Sequence, residues 1–212
     1  SHAHSIALMA LWRYNECKLI VSRRVDFHVR GMLRRVIKYG SSVAKIIAVS
    51  DAIRRILIED GINPRSVVTI RSGFIEENFT VTSSDRDLRK ELGIPDSAVV
   101  VATVAALAPH KAHFILIKAA FHVLKQYPET FFLIAGEGET RPDIERDIRS
   151  LNLERSVKLM GFIEDIDSVY RAADIFALSS REEGLCTSLF DAMYYHLPIV
   201  ATSAGGIPEI VR

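Results

Sequence analysis

Two acidic side chains, Glu183 and Asp191, lie eight positions apart around a short run of small residues. The run from Gly184 to Ser188 follows an apolar segment of strand length and precedes a helical pattern. A strand, a small-residue turn and a helix N-terminus direct backbone N–H groups and a positive dipole at a ligand. Because carboxylates accept hydrogen bonds from hydroxyls, the pair predicts a site for a hydroxyl-rich ligand such as a sugar.

Each carboxylate also has a simpler interpretation. Glu183 ends the charged run Arg181–Glu183 and would then be a solvated loop acid. Ser188 and Asp191 have the spacing of a capping box, in which Asp191 serves the helix and not a ligand. The glycine pair Gly205–Gly206, which follows the next apolar strand, favours the ligand site because glycine permits close approach of backbone to ligand.

Lys111 lies where a helix is expected to begin, soon after an apolar run and beside Pro109. Proline suits the first turn of a helix. A lysine at this place opposes the helix dipole, and a bound anion would remove that conflict. The pattern therefore predicts that Lys111 binds an anion, with a surface lysine as the alternative. His110 and His113 flank it and could assist, although surface histidines are commoner.

Apolar runs of strand length alternate with helical patterns along the chain, which predicts βα units and parallel sheets. The predicted strands are 18–22, 45–49, 67–70, 98–104, 131–135, 157–160, 174–178 and 198–201. The predicted helices are 28–39, 51–60, 88–92, 111–127, 142–151, 166–172 and 188–196. The polar stretch 80–87 separates two βα series and predicts an interdomain linker.

Composition narrows the class of protein. The hydrophobic fraction of 49% with 25% charged residues is that of a globular protein with a core. A net charge of +1 gives no basic excess for nucleic-acid binding. Cys17 and Cys186 have no metal-type or redox-type spacing, which fits a reducing, cytoplasmic setting. The sequence shows no membrane span or signal peptide, and because it does not begin with Met we expect a fragment.

The run from Ser179 to Glu209 resembles the donor-site signature of glycosyltransferase family 4, whose members are retaining enzymes. That family carries two glutamates at this spacing, whereas this chain has Glu183 and the shorter Asp191. The resemblance implies an α/β fold of the GT-B type, with two Rossmann-like parallel-sheet domains. Residues 1–80 would be the incomplete acceptor-side domain, and 81–212 the nucleotide-sugar domain, truncated at its end.

The resemblance also implies roles for individual residues. Glu183 would contact the transferred sugar, Asp191 the ribose, and Lys111 the donor diphosphate, with Glu183 and Lys111 as the catalytic pair. Arg24, which follows a predicted strand, would face the donor sugar from the acceptor side or form a surface salt bridge. The remaining implied donor-binding residues are Gly184, Leu185, Cys186, Thr187, Gly136, Phe162, Gly205 and Gly206. A core position is the alternative for Phe162, and a plain helix-start acid is the interpretation of Glu209.

One departure concerns Ala106, which stands where most of the family has an arginine on the diphosphate. The implied function is transfer of a sugar from a nucleoside-diphosphate sugar to a glycan or lipid-linked acceptor, as in polysaccharide or lipopolysaccharide biosynthesis. No cofactor, metal or nucleic acid is expected. The alternatives are a non-catalytic nucleotide-diphosphate-binding fragment and a sugar-nucleotide epimerase of GT-B shape.

Two further patterns bear on partners. Gly136–Glu137–Gly138 is not a dinucleotide fingerprint, because Arg141 stands at the third glycine position, and a dehydrogenase is therefore disfavoured. The basic run His28–Lys38 predicts either a solvated helix face or contact with an anionic acceptor or membrane headgroups. The expected location is the cytoplasm, including the cytoplasmic face of the membrane, and the sequence leaves the oligomeric state open.

Overall fold

The computed structural model describes residues 2–13, 17–29, 31–73 and 86–211. Within these ranges the strands form two separate parallel sheets, each accompanied by helices. The α/β class predicted from the alternating pattern is therefore confirmed.

The first sheet has three strands in the order β1 (Leu19–Arg23), β2 (Val43–Ala48) and β3 (Val67–Thr69). Its helices are α1 (His2–Arg13), α2 (Met32–Tyr39) and α3 (Asp51–Glu59), and a 3-10 turn spans Pro64–Ser66. The core of this sheet is apolar, and Ile46, Ile53 and Leu57 have no exposed surface. Ser50 caps α3 by accepting a hydrogen bond from the Ile53 amide at 3.2 Å, as its position before the helix predicts.

The second sheet has five strands in the order β6-β5-β4-β7-β8. These are β4 (Val99–Val104), β5 (Thr130–Ala135), β6 (Val157–Gly161), β7 (Ile175–Leu178) and β8 (Ile199–Ala201). The helices are α4 (Leu88–Glu91), α5 (His113–Gln126), α6 (Arg141–Ser150), α7 (Ile166–Ala172) and α8 (Thr187–Tyr194), with 3-10 turns at Pro109–Lys111 and Ile207–Glu209.

The strand order of the second sheet creates a crevice beside β4. The chain proceeds from β4 through β5 to β6, then returns to place β7 and β8 on the other side of β4. Helices α5 and α6 cover one face of the sheet, whereas α4 and α7 cover the other. The order reverses between β4 and β7, and open α/β sheets bind ligands in a crevice at the carboxyl edge at such a point.

The structure differs from the sequence-based boundaries at two functional places. The helix expected from 111 is interrupted, because Ala112 has a left-handed backbone with φ of 50° and α5 begins only at His113. The basic helix expected from 28 begins at Met32. The helix α1 was not predicted.

The boundary expected at residues 80–81 and most of the expected linker 80–87 lie outside the described residues, so the two-domain division stays a prediction. None of the helices in the described part of the chain has the length and apolar character that a membrane span requires.

Candidate active site at the carboxyl edge of the second sheet

Two loops meet in the crevice between β4 and β7. The amide of Arg181, after β7, donates to the carbonyl of His110, after β4, at 2.8 Å. The Ser179 hydroxyl donates to the carbonyl of Lys111 at 3.0 Å. These bonds fix the backbone of Lys111 against the segment that leads to Glu183.

The two residues expected to be catalytic are in direct contact. Lys111 Nζ lies 2.5 Å from Glu183 Oε2, and their side chains are only 13% and 11% exposed. The Ser180 hydroxyl donates to the same oxygen at 3.2 Å. Among the described residues Oε1 of Glu183 has no hydrogen-bond partner. The burial of both side chains is inconsistent with a solvated loop acid and a surface lysine.

Three glycines bring backbone segments together behind Glu183. Gly205 has φ of 49°, and a Cβ there would lie 1.8 Å from the Glu183 carbonyl oxygen. The Gly206 amide donates to that same oxygen at 3.0 Å. A Cβ on Gly184 would lie 2.1 Å from the carbonyl oxygen of Arg24 in the first sheet. The predicted donor turns thus pack on each other, and one of them packs on the N-terminal part of the chain.

The N-terminus of α8 opens toward this turn. Cys186 is the N-cap residue and no side chain caps the helix, so its first amides are not satisfied by a side chain. Burial is the main cause that raises the pKa of the Cys186 thiol, which lies 3.0 Å from the Ser188 hydroxyl. A neutral thiol is a poor nucleophile, and Cys186 therefore contributes backbone and packing. Leu185 packs against the core of the first sheet.

The capping box considered for Ser188 and Asp191 does not form. The helix begins at Thr187, so Ser188 lies inside its first turn and not at the cap position. Asp191 instead accepts a hydrogen bond from the buried Tyr170 hydroxyl at 3.3 Å. Burial raises the pKa of Asp191 above its ordinary value, and Tyr170 opposes that shift. Its expected ribose contact stays a prediction.

The turns after β5 and β6 extend the crevice along the sheet edge. Gly136 has φ of 144°, and a Cβ there would lie 1.9 Å from the Ala105 carbonyl oxygen, so only glycine fits. Phe162 is 81% exposed at the end of β6, and the alternative of a core phenylalanine is wrong. β6 is two strands from β4, and at roughly 4.8 Å per strand this places Phe162 about 10 Å along the edge.

One histidine neighbour of Lys111, His113, does not supply positive charge. His113 is only 3% exposed, and its Nδ1 has no partner among the described residues. Burial, followed by the charge of Lys111, lowers the pKa of His113 to about 4, so its ring is neutral at physiological pH.

Two further positions singled out in the sequence, Ala106 and Arg24, are exposed. The backbone carbonyl of Arg24, and not its side chain, lies against Gly184.

Glu209 has a role that sequence reasoning missed. Its carboxylate accepts hydrogen bonds from the amides of Asp51 and Ala52 at 2.9 and 2.8 Å, at the start of α3. The Arg71 guanidinium lies 3.0 Å from the same carboxylate. Glu209 thus caps a helix of the first sheet and not its own turn. The N-cap Ser50 marked that helix end, but no local pattern identifies a partner 157 positions away.

No group of three or more His, Cys, Asp and Glu side chains able to hold a metal ion occurs within the part of the chain that the structure describes. The described residues of the crevice contribute one ammonium, one carboxylate and backbone amides. Such a set can bind a diphosphate next to a hydroxyl-rich group.

Comparisons with known proteins agree with this geometry. A family model described as glycosyl transferases group 1 matches residues 84–212. A Corynebacterium glutamicum GDP-mannose-dependent monoacylated alpha-(1-6)-phosphatidylinositol monomannoside mannosyltransferase is 31% identical over 82% of this chain and 48% of its own length. An Escherichia coli UDP-Gal:alpha-D-GlcNAc-diphosphoundecaprenol alpha-1,3-galactosyltransferase is 26% identical over 71% of this chain and 40% of its own. The chain thus spans less than half the length of these relatives.

Solved structures support the fold. Anabaena HepE in complex with UDP-glucose superposes with a TM-score of 0.85 at 25% identity, covering 100% of this chain and 60% of HepE. WaaG, a glycosyltransferase involved in lipopolysaccharide biosynthesis, superposes with a TM-score of 0.74 at 14% identity, covering 96% of this chain and 64% of WaaG. Both likenesses confirm the expected GT-B architecture. Because the family model matches more than half of the chain, this protein belongs to the group 1 glycosyl transferases.

Proposed function

We propose that the chain is part of a retaining glycosyltransferase that moves a sugar from a nucleoside-diphosphate sugar to a glycan or lipid-linked acceptor. The observation that carries this proposal is the buried contact of Lys111 Nζ with Glu183 Oε2 at 2.5 Å in the crevice beside β4. It joins a cation for a diphosphate to a carboxylate for sugar hydroxyls.

The leaving diphosphate is the group that this arrangement suits best. As the glycosidic bond breaks, negative charge grows on the diphosphate, and preorganised positive groups stabilise such charge most effectively. Lys111 and the uncapped amides at the start of α8 supply that stabilisation. Glu183 can accept a sugar hydroxyl at Oε1 while Oε2 keeps its bonds to Lys111 and Ser180.

The nucleoside would lie along the carboxyl edge of the sheet. In this proposal Asp191 accepts from the ribose hydroxyls, and the exposed ring of Phe162 with the turn at Gly161 holds the base. Gly136 admits the donor close to backbone, and the Gly205–Gly206 turn covers it. The roughly 10 Å from β4 to β6 suits the distance between a base and its diphosphate.

We propose that the configuration of the sugar is retained because the acceptor reacts on the same face of the sugar that the diphosphate leaves. The acceptor hydroxyl attacks from the side on which the diphosphate departs, and the departing phosphate oxygen takes the hydroxyl proton. No enzymatic general base is needed in this scheme. No metal is needed either, because the Lys111 ammonium provides the charge that a cation would provide.

The names of two relatives support the proposed acceptor class and location. The names of the two curated relatives describe a diphosphoundecaprenol and a phosphatidylinositol mannoside, which are lipid-linked. We therefore propose that the enzyme acts at the cytoplasmic face of a membrane. Cys17 and Cys186 are both free, which is consistent with a reducing compartment.

A non-catalytic nucleotide-diphosphate-binding role is the second candidate. Ala106 leaves the diphosphate with one cation fewer than most of the family provides, and Asp191 is shorter than the family's glutamate. Incubation with donor and acceptor separates the two functions. Released nucleoside diphosphate supports transfer, whereas donor binding without release supports the non-catalytic role. The family match favours transfer over sugar-nucleotide epimerisation.

A thermal-shift panel with UDP, GDP and ADP tests the donor site. We expect one of the three to raise the Tm of the parent chain, and Lys111→Ala to weaken that response about tenfold in apparent affinity, whereas Glu183→Ala should keep it because these nucleotides carry no sugar for the carboxylate to bind. Lys90→Ala is the matched control, since that lysine is 88% exposed on α4 and should leave the response unchanged. If no nucleotide shifts the Tm, or if Lys90→Ala is as damaging as Lys111→Ala, the donor site is wrong.

A further inference from the structure

A second cavity lies at the carboxyl end of β1, in the first sheet. Its volume is about 590 Å³. Its lining includes three cationic side chains, two histidines and two aromatic rings: Arg23, Arg24, Lys38, His4, His28, Phe27 and Tyr39. None of the described residues that line it is acidic. The cavity is therefore positively charged.

Arg23 is the group in this cavity that most needs an anion. It is 9% exposed, and its guanidinium lies 4.3 Å from the centre of the Phe27 ring. It donates to the Phe27 carbonyl and, at 3.4 Å, to the Tyr39 hydroxyl. These partners are neutral, and Arg23 makes no ion pair within the described residues. Burying a guanidinium without a counter-charge is unfavourable, and a bound anion would relieve it.

Asp60, which contacts this loop from the end of α3, is already engaged. Asp60 lies 2.8 Å from the His28 ring nitrogen and accepts from the Val29 amide at 2.6 Å. It thereby fixes the loop that carries Phe27 and His28 and does not pair with Arg23. Arg24 and Lys38 likewise have no ion pair in the described ranges. Three cations thus line one cavity, and no ion pair within the described residues neutralises them.

The cavity adjoins the donor site. A Cβ on Gly184 would lie 2.1 Å from the Arg24 carbonyl oxygen, so the loop after β1 rests on the turn that carries Glu183. The same added Cβ would lie 3.1 Å from the Ile53 side chain of α3. The loop that carries Arg23 and Arg24 is therefore in contact with the turn that carries Glu183.

We propose that this cavity binds a phosphate group, with Arg23, Arg24 and Lys38 as its ligands, and that the phosphate belongs to the sugar acceptor. A guanidinium presents paired N–H donors that match phosphate oxygens, and several cations suit a dianion better than a single carboxylate. The assignment to the acceptor rests on the proposed glycosyltransferase function, whereas the phosphate site itself does not.

Titration with glycerol 3-phosphate tests the site. The donor crevice is first saturated with the nucleoside diphosphate that raises the Tm, and the titration is repeated on Lys111→Ala, which removes the cation of the donor site. We expect a further rise in Tm in both. The double variant Arg24→Gln/Lys38→Gln should weaken glycerol 3-phosphate binding about tenfold or more, since two charge-assisted contacts are lost.

Controls keep the outcomes separate. Arg23 is buried, and a substitution there could prevent folding. Arg24 is exposed, so the double variant tests the site without that risk. Arg55→Gln/Arg155→Gln removes two exposed charges elsewhere and should leave binding unchanged. Acetate at the same concentration should give no response. Loss of every nucleotide response with retained phosphate binding contradicts the proposed function but not the site.

Vesicles identify the source of the phosphate. Cosedimentation with phosphatidylglycerol but not phosphatidylcholine vesicles, lost in the double variant, identifies a lipid-borne phosphate. Binding of soluble glycerol 3-phosphate alone identifies a free phosphorylated acceptor. The proposal is overturned if neither probe binds, or if both bind the double variant as tightly as the parent.

Discussion

Asp191 is a charged side chain in a place that disfavours its charge. Burial raises the pKa of Asp191, so the folded chain holds the proton more tightly than the unfolded chain does. The protonated form of Asp191 stabilises the fold, and this contribution to the unfolding free energy is lost as pH rises above the ordinary carboxyl pKa. A residue that weakens the fold at neutral pH and lines a predicted ligand site is typical of a functional position.

Replacing this carboxylate should separate stability from ligand binding. Asp191→Asn removes the charge and keeps an oxygen that can accept from Tyr170. We expect the Tm at neutral pH to rise by roughly 2 °C while the nucleotide response weakens. Asp96→Asn, in an exposed turn, should change neither. A lower Tm for Asp191→Asn would show that the charge is well solvated in the fold.

His113 makes stability depend on pH. Its pKa is about 4 in the folded chain because of burial, against an ordinary value of 6.5. The unfolded state therefore binds more protons between these values, and stability is lost as pH falls through 6.5. We expect the parent to lose about 2 kcal/mol of unfolding free energy from this group between about pH 7 and pH 5. Urea unfolding at the two pH values measures it.

The control for this prediction lies on the same helix. His113→Leu should flatten the pH dependence by about that amount, because no proton can be taken up at this position on unfolding. His122→Leu, on the exposed side of α5, should leave the pH dependence as in the parent. An equal loss of stability in the parent and in His113→Leu would contradict the neutral, buried ring.

At the scale of elements, the turn at Gly205 is the most demanding backbone position of the site. A side chain there would be strained by φ of 49° and would overlap the Glu183 carbonyl at 1.8 Å. Gly205→Ala should lower the Tm by about 4 °C or more and abolish the nucleotide response, because the turn must move away from Glu183. Gly73→Ala is the matched control, since no atom of the described residues lies within 4 Å of its added Cβ.

Regular periodicity explains why the elements could be predicted. Each predicted strand of the second sheet lies within one residue of the observed one at both ends, as for β7, expected at 174–178 and found at Ile175–Leu178. The contact of Lys111 with Glu183 follows from the same logic, since both residues follow parallel strands that neighbour each other. Local pattern and sheet topology were sufficient here.

Contacts between distant segments could not be predicted from the sequence. The cap that Glu209 provides for α3 depends on how two sheets face each other, which no local period encodes. The buried state of His113 depends on packing beneath α5 and not on its polar type. The left-handed Ala112 replaces the expected continuous helix, and alanine carries no local signal for that conformation.

At the scale of the whole molecule, three contacts join the sheets on one side of the donor turn. Leu185 packs into the core of the first sheet, and a Cβ on Gly206 would lie 3.0 Å from the Ser50 Cβ. Glu209 lies just beyond, on the amides of Asp51 and Ala52. The segment that would cover the donor is therefore attached to the sheet that would hold the acceptor. Donor binding and the relative position of the sheets should be coupled through it.

Glu209 offers a direct test of this coupling. Its carboxylate accepts two amide hydrogen bonds and pairs with Arg71, which also lies 2.5 Å from Asp51. Glu209→Ala should lower the unfolding free energy by about 2 kcal/mol, or roughly 4–8 °C in Tm, since charge-assisted bonds to buried amides are lost. The amides of Asp51 and Ala52 should also exchange with solvent faster, which hydrogen–deuterium exchange measures residue by residue.

Two variants separate the cap from general surface effects. Arg71→Met removes the ion pair but keeps both amide bonds, and should therefore lower the Tm less than Glu209→Ala does. Glu129→Ala, in the exposed turn before β5, should leave exchange at α3 unchanged. If Glu209 couples the sheets, Glu209→Ala also weakens the nucleotide response although the carboxylate does not line the donor crevice. An unchanged nucleotide response together with faster exchange at Asp51 would show that Glu209 only caps a helix.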